Sequence, residues 1–259
     1  MNILAVDTST RHLSIALADG DKLLAGRNVR PRKDLSLTIT FDIERVLQKA
    51  NVSLHDIDGF VIGLGPGSFT GLRVGFSMMK AFVMVTERPV VGVPSMDAIA
   101  MNVRSRKPAN ICVISDARRN LVYACVYEKK NGGLTRKCEH LLQSVDDVLT
   151  HVEGETIFIG DGIPLWRERI LEVAKFRDAQ FTPLFEPEKH WLPKAVELAK
   201  LGYQRFLKGE RDKIETLAPL YLYPEDCQVG GRAAESAGHS APHQMANSHR
   251  EARDQKRNL

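Results

Sequence analysis

The stretch Ile57-Asp-Gly-Phe-Val-Ile-Gly-Leu-Gly-Pro-Gly-Ser-Phe-Thr-Gly-Leu-Arg-Val-Gly75 decides how the rest of the chain is read. Phe60 to Leu64 is an apolar run of strand length, and Gly65-Pro-Gly67 breaks it. Ser68 or Thr70 then offers a hydroxyl to cap the helix that follows. That helix runs from Gly71 to about Val85, where Glu87-Arg-Pro89 stops it. An ordinary surface helix carries a polar face; this one offers only Arg73, Ser77 and Lys80. It needs cover on more than one side, from its own domain or from a partner. A glycine turn feeding a helix start is also compatible with an anion, because free N–H groups point at it. The turn matches neither the G-x-x-x-x-G-K-[ST] phosphate loop nor a dinucleotide fingerprint.

The chain has 259 residues, 43% hydrophobic and 26% charged, the composition of a soluble globular protein. No run of about 18 apolar residues exists to span a membrane. The opening Met1-Asn-Ile-Leu-Ala-Val-Asp7 reads as a strand and not as a signal peptide. Cys112, Cys125, Cys138 and Cys227 show no C-x-x-C spacing, so core thiols in a reducing cytoplasm are expected. The formal charge of +4 is mild, and the last 32 residues supply five Lys/Arg against three Asp/Glu. Nothing in these totals announces a dedicated nucleic-acid binder.

In chain order, residues 3–8, Leu13–Leu17 and Lys22–Val29 read as an antiparallel meander turned at Asp19-Gly20. Arg30 to Lys33 is a solvated connection, and Leu35 to Ala50 has a helical pattern disturbed at Thr40 and Phe41. After the central stretch come a strand at Val90–Val93 and a helix from Met96 to Val103, capped by Ser95. The same order then restarts. Ile111 to Asp116 mirrors Ile3 to Asp7, and Leu121–Tyr127 and Leu134–Leu142 mirror the next two strands around an Asn131-Gly-Gly133 turn. Ser144 caps a helix through His151, and Thr156 to Gly162 mirrors Phe60 to Gly67, with a helix from Pro164. A last helix spans Ala195 to Leu207, before an extended segment at Ala218–Pro224.

Two βββαβα subdomains imply an α/β duplication of the actin-like, Hsp70-like and sugar-kinase (ASKHA) kind, with boundaries at 1–108 and 109–227. Residues 228–259, poor in large apolar residues, read as a disordered tail.

Chemistry is thin in this pattern. Nucleotide clefts of this architecture need a slim glycine after the first strand's Asp. Here Asp7 precedes Thr8-Ser-Thr10 and Asp116 precedes Ala117-Arg-Arg119. Asp7, Gly65, Gly67 and Asp116 therefore mark at most a degenerate nucleotide site. Arg118 reads as a salt-bridge former that could also meet an anion. His239 and His243 have ligand spacing, but Pro242 between them argues against a metal. His12, His55, His140, His151 and His190 are dispersed and read as surface histidines. No catalytic set, cofactor or metal is expected.

Gly65 to Gly75 resembles the signature of the TsaB (YeaZ-like, glycoprotease-like) family. Ile3–Ser9, Val90–Ser95, Asp116–Arg118 with Val122-Tyr123, and Pro219–Leu222 fall in that family's order. The resemblance covers about residues 1–226. It implies a non-catalytic partner subunit in tRNA threonylcarbamoyladenosine synthesis, which modifies the adenosine beside the anticodon. Such a chain pairs with a TsaD-like catalytic subunit, or with itself when alone. It helps recruit a TsaE-like ATPase and meets tRNA only through the complex. Pairing is expected through Leu35, Ile39 and Ile43 of the first helix and Phe69, Leu72, Gly75, Met78, Met79 and Phe82 of the second. Gly71 and Gly75, four apart, would let a partner backbone approach, while Met78, Met79 and Met84 would adapt to it. One departure stands at Leu35-Ser-Leu37, where the family often has His-Ser-Glu. The alternative is a stand-alone ATP-dependent or metallopeptidase-like enzyme of the same superfamily, which the missing phosphate glycines and ligand histidines disfavour.

Overall fold

A computed structural model describes residues 1–31, 34–105, 107–131, 133–176 and 181–223. The tail, His239 and His243, Cys227, and parts of the Arg30–Lys33 connection and the Asn131–Gly133 turn lie outside those residues. The first half runs β1 (Asn2–Asp7), β2 (Leu13–Asp19), β3 (Lys22–Val29), α1 (Leu35–Lys49), β4 (Gly59–Gly63), α2 (Phe69–Thr86), β5 (Val90–Val93) and α3 (Ser95–Met101). Its sheet is ordered β3-β2-β1-β4-β5, with β1, β4 and β5 parallel and the meander antiparallel. The second half runs β6 (Ala109–Arg118), β7 (Leu121–Lys130), β8 (Gly133–Arg136), β9 (Leu141–Gln143), α4 (Val145–Leu149), β10 (Gly154–Ile159), α5 (Ile163–Phe176), β11 (Phe181–Phe185) and α6 (Ala195–Leu207). Its sheet repeats the order and directions as β8-β7-β6-β10-β11. Two sheets of one unusual order in one chain establish the duplicated actin-like fold.

Alternation along the buried strands sorts side chains between two helix layers. On the first sheet, Leu4, Val6, Phe60 and Ile62 face α1 and α2, meeting Ile39, Ile43, Val46, Phe76 and Met79. Ile3, Ala5, Ala16, Ala18 and Val61 face the other way, toward Ala195, Leu198 and Ala199 of α6 and Ala98 of α3. The last helix among the described residues thus covers the sheet built by the first strands.

Several local expectations are revised. The single strand expected over Leu134–Leu142 is two, β8 and β9, both paired to β7. Between them, the Cys138 Sγ replaces a backbone carbonyl as acceptor for the Val126 N–H, which interrupts the ladder. His140 is turned inward instead of lying on the surface, its Nε2 at 3.6 Å from Asp97. Asp97 of α3 also accepts hydrogen bonds from the Tyr127 hydroxyl at 2.8 Å and from Arg136 at 3.1 Å, fastening α3 to the second sheet. Strand β11 adds to the elements expected from sequence; it contains Pro183, which its edge position tolerates. Cys112 and Cys125 are buried thiols, as expected, and burial pushes the Cys125 thiol up to about 12.

Phe60 is fully buried and stacks on Phe82 with ring centroids 6.0 Å apart. Phe60→Ala is expected to cost about 3–5 kcal/mol. A urea unfolding midpoint shifted by under about 1 kcal/mol equivalent would show that the core collapses around the gap.

Candidate functional site

The glycine turn folds against the end of β1. Ser68 caps α2, its Oγ accepting the Gly71 N–H at 3.2 Å, while the Ser68 N–H donates to the Ser9 carbonyl at 2.7 Å. A Cβ on Gly67 would lie 2.1 Å from the Ser9 carbonyl oxygen, so only glycine admits this contact. The Asp7 carboxylate is buried in the same junction. Its Oδ1 accepts from the Ser9 N–H and hydroxyl at 2.9 and 2.7 Å, and its Oδ2 accepts from the Ser95 hydroxyl at 2.5 Å. The Ser95 Oγ in turn accepts the Gly65 N–H at 3.0 Å. Ser95 is therefore not the helix cap the sequence suggests; Pro94 occupies that place, and the hydroxyl serves Asp7.

In this chain Asp7 is tied through Ser95 to Gly65, Gly67 packs on the Ser9 carbonyl, and the Ser68 and Gly71 amides have partners within the chain. Asp116, at the matching strand end, is part-exposed. It accepts the Arg118 N–H at 2.8 Å, and the Arg118 guanidinium lies 3.5 Å from it. Arg118, Arg119 and Asn120 form a tight turn, all with positive φ. A strap then crosses from one strand end to the other. The Leu220 N–H donates to the Leu64 carbonyl at 2.8 Å, and the Tyr223 hydroxyl donates to the Ala117 carbonyl at 2.6 Å. Among the described residues no three His, Cys, Asp or Glu side chains gather around a common point.

The residues expected to meet a partner divide in two. Ile39, Ile43, Leu72, Gly75, Met78 and Met79 are buried in the first-half core, and Leu35 and Phe82 are half-buried against it. Gly71 and Gly75 do admit a close backbone, but it is the chain's own. Added Cβ atoms would lie 2.3 Å from the Thr8 carbonyl oxygen and from the Thr8 Oγ1. Phe69 alone of the set stands well exposed, between the Arg73 guanidinium, 3.8 Å above its ring, and Tyr221 of the strap, at 5.4 Å. The apolar residues that do face outward are Leu37 and Phe41 on α1, each 62% exposed, and Met84 and Val85 on α2, 78% and 68% exposed. On α2 Met84 ends an exposed stripe that begins with Arg73, Ser77 and Ala81, whose small central residues leave room for a helix. The signal for these positions was present: Leu37 and Phe41 fall off the period of the buried α1 residues.

Fold and site together define a duplicated actin-like protein whose strand-end seat is filled by its own residues and whose α1–α2 layer carries exposed apolar side chains. The chain belongs to the family described as TsaD, tRNA N6-adenosine threonylcarbamoyltransferase, whose sequence profile matches residues 32–224. It is similar to the tRNA threonylcarbamoyladenosine biosynthesis protein TsaB of Escherichia coli (strain K12), 27% identical over 86% of this chain and 94% of that one. TsaB of Bacillus subtilis (strain 168) is 29% identical over the same shares. The solved structure of YeaZ from Pseudomonas aeruginosa superposes with a TM-score of 0.73 at 24% identity, covering 85% of this chain and 99% of that one.

Burial, partly offset by the serine hydrogen bonds, holds the Asp7 carboxyl above the usual carboxylate range. A raised folded value means the folded state gains relative stability as pH falls through it toward 3.8. The stability difference Asp7→Asn minus wild type should therefore be most favourable to the variant at pH 7.5 and shrink by pH 4.5. Equal differences at the two pH values, measured by urea unfolding, would refute the buried-charge account.

Proposed function

We propose that this chain is the non-catalytic partner subunit of a tRNA threonylcarbamoyladenosine-synthesising complex, paired with a TsaD-like catalytic subunit and helping recruit a TsaE-like ATPase. Alone, it pairs with a second copy through the same surface. The observation that carries this reading is the outer face of α1 and α2. Four large apolar side chains stand more than half exposed on these two helices, and the Arg73–Phe69–Tyr221 stack lies at the start of α2. Exposed apolar side chains, and arginine stacked on aromatic rings, are what protein interfaces use. The strand-end junction supports the non-catalytic part, since Asp7 and the Gly65 amide are engaged within the chain. The matched family and the named relatives supply the pathway.

The test is co-purification with a TsaD-like protein, read by light scattering, using two arginine substitutions. Ala81→Arg places charge on the exposed stripe and should abolish pairing while the circular dichroism spectrum and unfolding midpoint stay within error of wild type. Gly75→Arg drives a side chain into Thr8 and should lose the fold itself. A heterodimer that survives Ala81→Arg moves the interface elsewhere. ATP turnover by the chain alone, without a partner, would overturn the non-catalytic reading.

A further inference from the structure

The opposite side of the first sheet carries a different surface. Where α3 ends and α6 begins, five cationic side chains are drawn together: Arg104, Lys129, Lys189, Lys194 and Lys200. The fold fixes them through buried anchors. Asn102, buried at the end of α3, donates through Nδ2 to the His190 and Leu192 carbonyls, both at 2.8 Å, and so pins the segment that presents Lys189 and Lys194. The Lys129 ammonium of β7 donates to the Val103 carbonyl at 2.5 Å. The buried Glu197 carboxylate binds Arg104 at 2.6 Å and Lys200 at 3.3 Å.

That accounting leaves charge over. Glu197 is shared by Arg104 and Lys200, and Glu186 is engaged by His190 at 2.8 Å. Among the described residues no carboxylate pairs with Lys129, Lys189 or Lys194. Burial, and next the nearby Arg104 charge, push the Lys129 and Lys194 ammonium groups below the ordinary lysine value. Cations that repel one another yet are held by the backbone are relieved when an anion with several charges settles among them. Because α3 and α6 cover the sheet face opposite α1 and α2, pairing through the apolar face leaves this one open.

We infer that the face formed by Lys129, Lys189 and Lys194, with Arg104 and Lys200, contacts the phosphate backbone of the RNA substrate within the assembled complex. The choice of RNA among polyanions rests on the proposed function. Phosphate contacts of this kind position a nucleic acid without reading its sequence. The RNA would be held at the start of α6, which the Ala195 N–H fastens to the Ser14 Oγ at 2.9 Å.

The experiment titrates a fluorescent tRNA transcript with the reconstituted pair and with the full chain alone, between about 50 and 200 mM salt. The double variant Lys189→Gln and Lys194→Gln is compared with Lys22→Gln and Lys213→Gln, which remove two cations elsewhere. Each phosphate contact contributes about 0.7–0.9 to the slope of log K against log salt, so the patch variant should flatten it by about 1.5 and bind about tenfold more weakly at the lower salt. The control pair should match wild type. Equal losses in both variants, or none in the patch variant, overturn the proposal. So does a loss confined to vesicles of phosphatidylglycerol, which would assign the face to lipid. Light scattering separates the two readings: failure of the wild-type chain to pair refutes the partner assignment, whereas equal tRNA titrations of wild-type and patch-variant pairs that do form refute the RNA face alone.

Discussion

The structure depends on one crowded junction, where the end of β1 is pressed into the turn between β4 and α2. Four segments meet there with almost no free volume: the Asp7–Ser9 backbone, the glycine turn, the first turns of α2, and Ser95. A carboxylate taken from water requires hydrogen bonds to every lone pair that would otherwise be orphaned. Two serines and a backbone N–H supply them, and each tie crosses to another segment or tightens the local turn. The glycines follow from this requirement, because any Cβ on Gly67, Gly71 or Gly75 would occupy the space of the Thr8–Ser9 chain. The second half uses the same device, with Gly160 against the Ile114 carbonyl, a Cβ there falling 2.1 Å from its oxygen. Duplication has copied a packing solution as well as a strand order.

The fold was legible because its signals are local and repeated. Asp7 and Asp116 each end a buried strand, a meander follows each, and the glycine turns recur at matched intervals. What escaped the reading lies where tertiary contacts override local preference. Strand β11 contains a proline that only an edge position excuses, and the β8–β9 break depends on a sulfur acceptor that no pattern announces. Ser95 looks like a cap in sequence and is a ligand of Asp7 in space.

The candidate surface was legible in its helices and not in its faces. An apolar helix gives no stripe to orient, so Ile39, Ile43, Leu72 and Met79 could not be told from Leu37, Phe41 and Met84 by hydrophobicity. Spacing against the buried set separates them, and only the register of the helix on the sheet fixes that set. The basic cluster was hidden for another reason. Its members come from the segment after α3, β7, the segment before α6, and α6 itself, so they form no charge run in the sequence.

The position of α6 bears on how the chain is assembled. The sheet formed by residues 2–93 has one face covered by α1 and α2, elements made alongside it. The other face is covered chiefly by residues 195–207. During synthesis, Ile3, Ala5, Val61 and Val91 lack that cover until roughly a hundred further residues have left the ribosome, at several residues per second. The first half is thus unfinished while the second is being made, and the two halves reach their native packing together. A truncation before Ala195 would strip an apolar sheet face, so the first half is not closed without a helix that follows the second sheet.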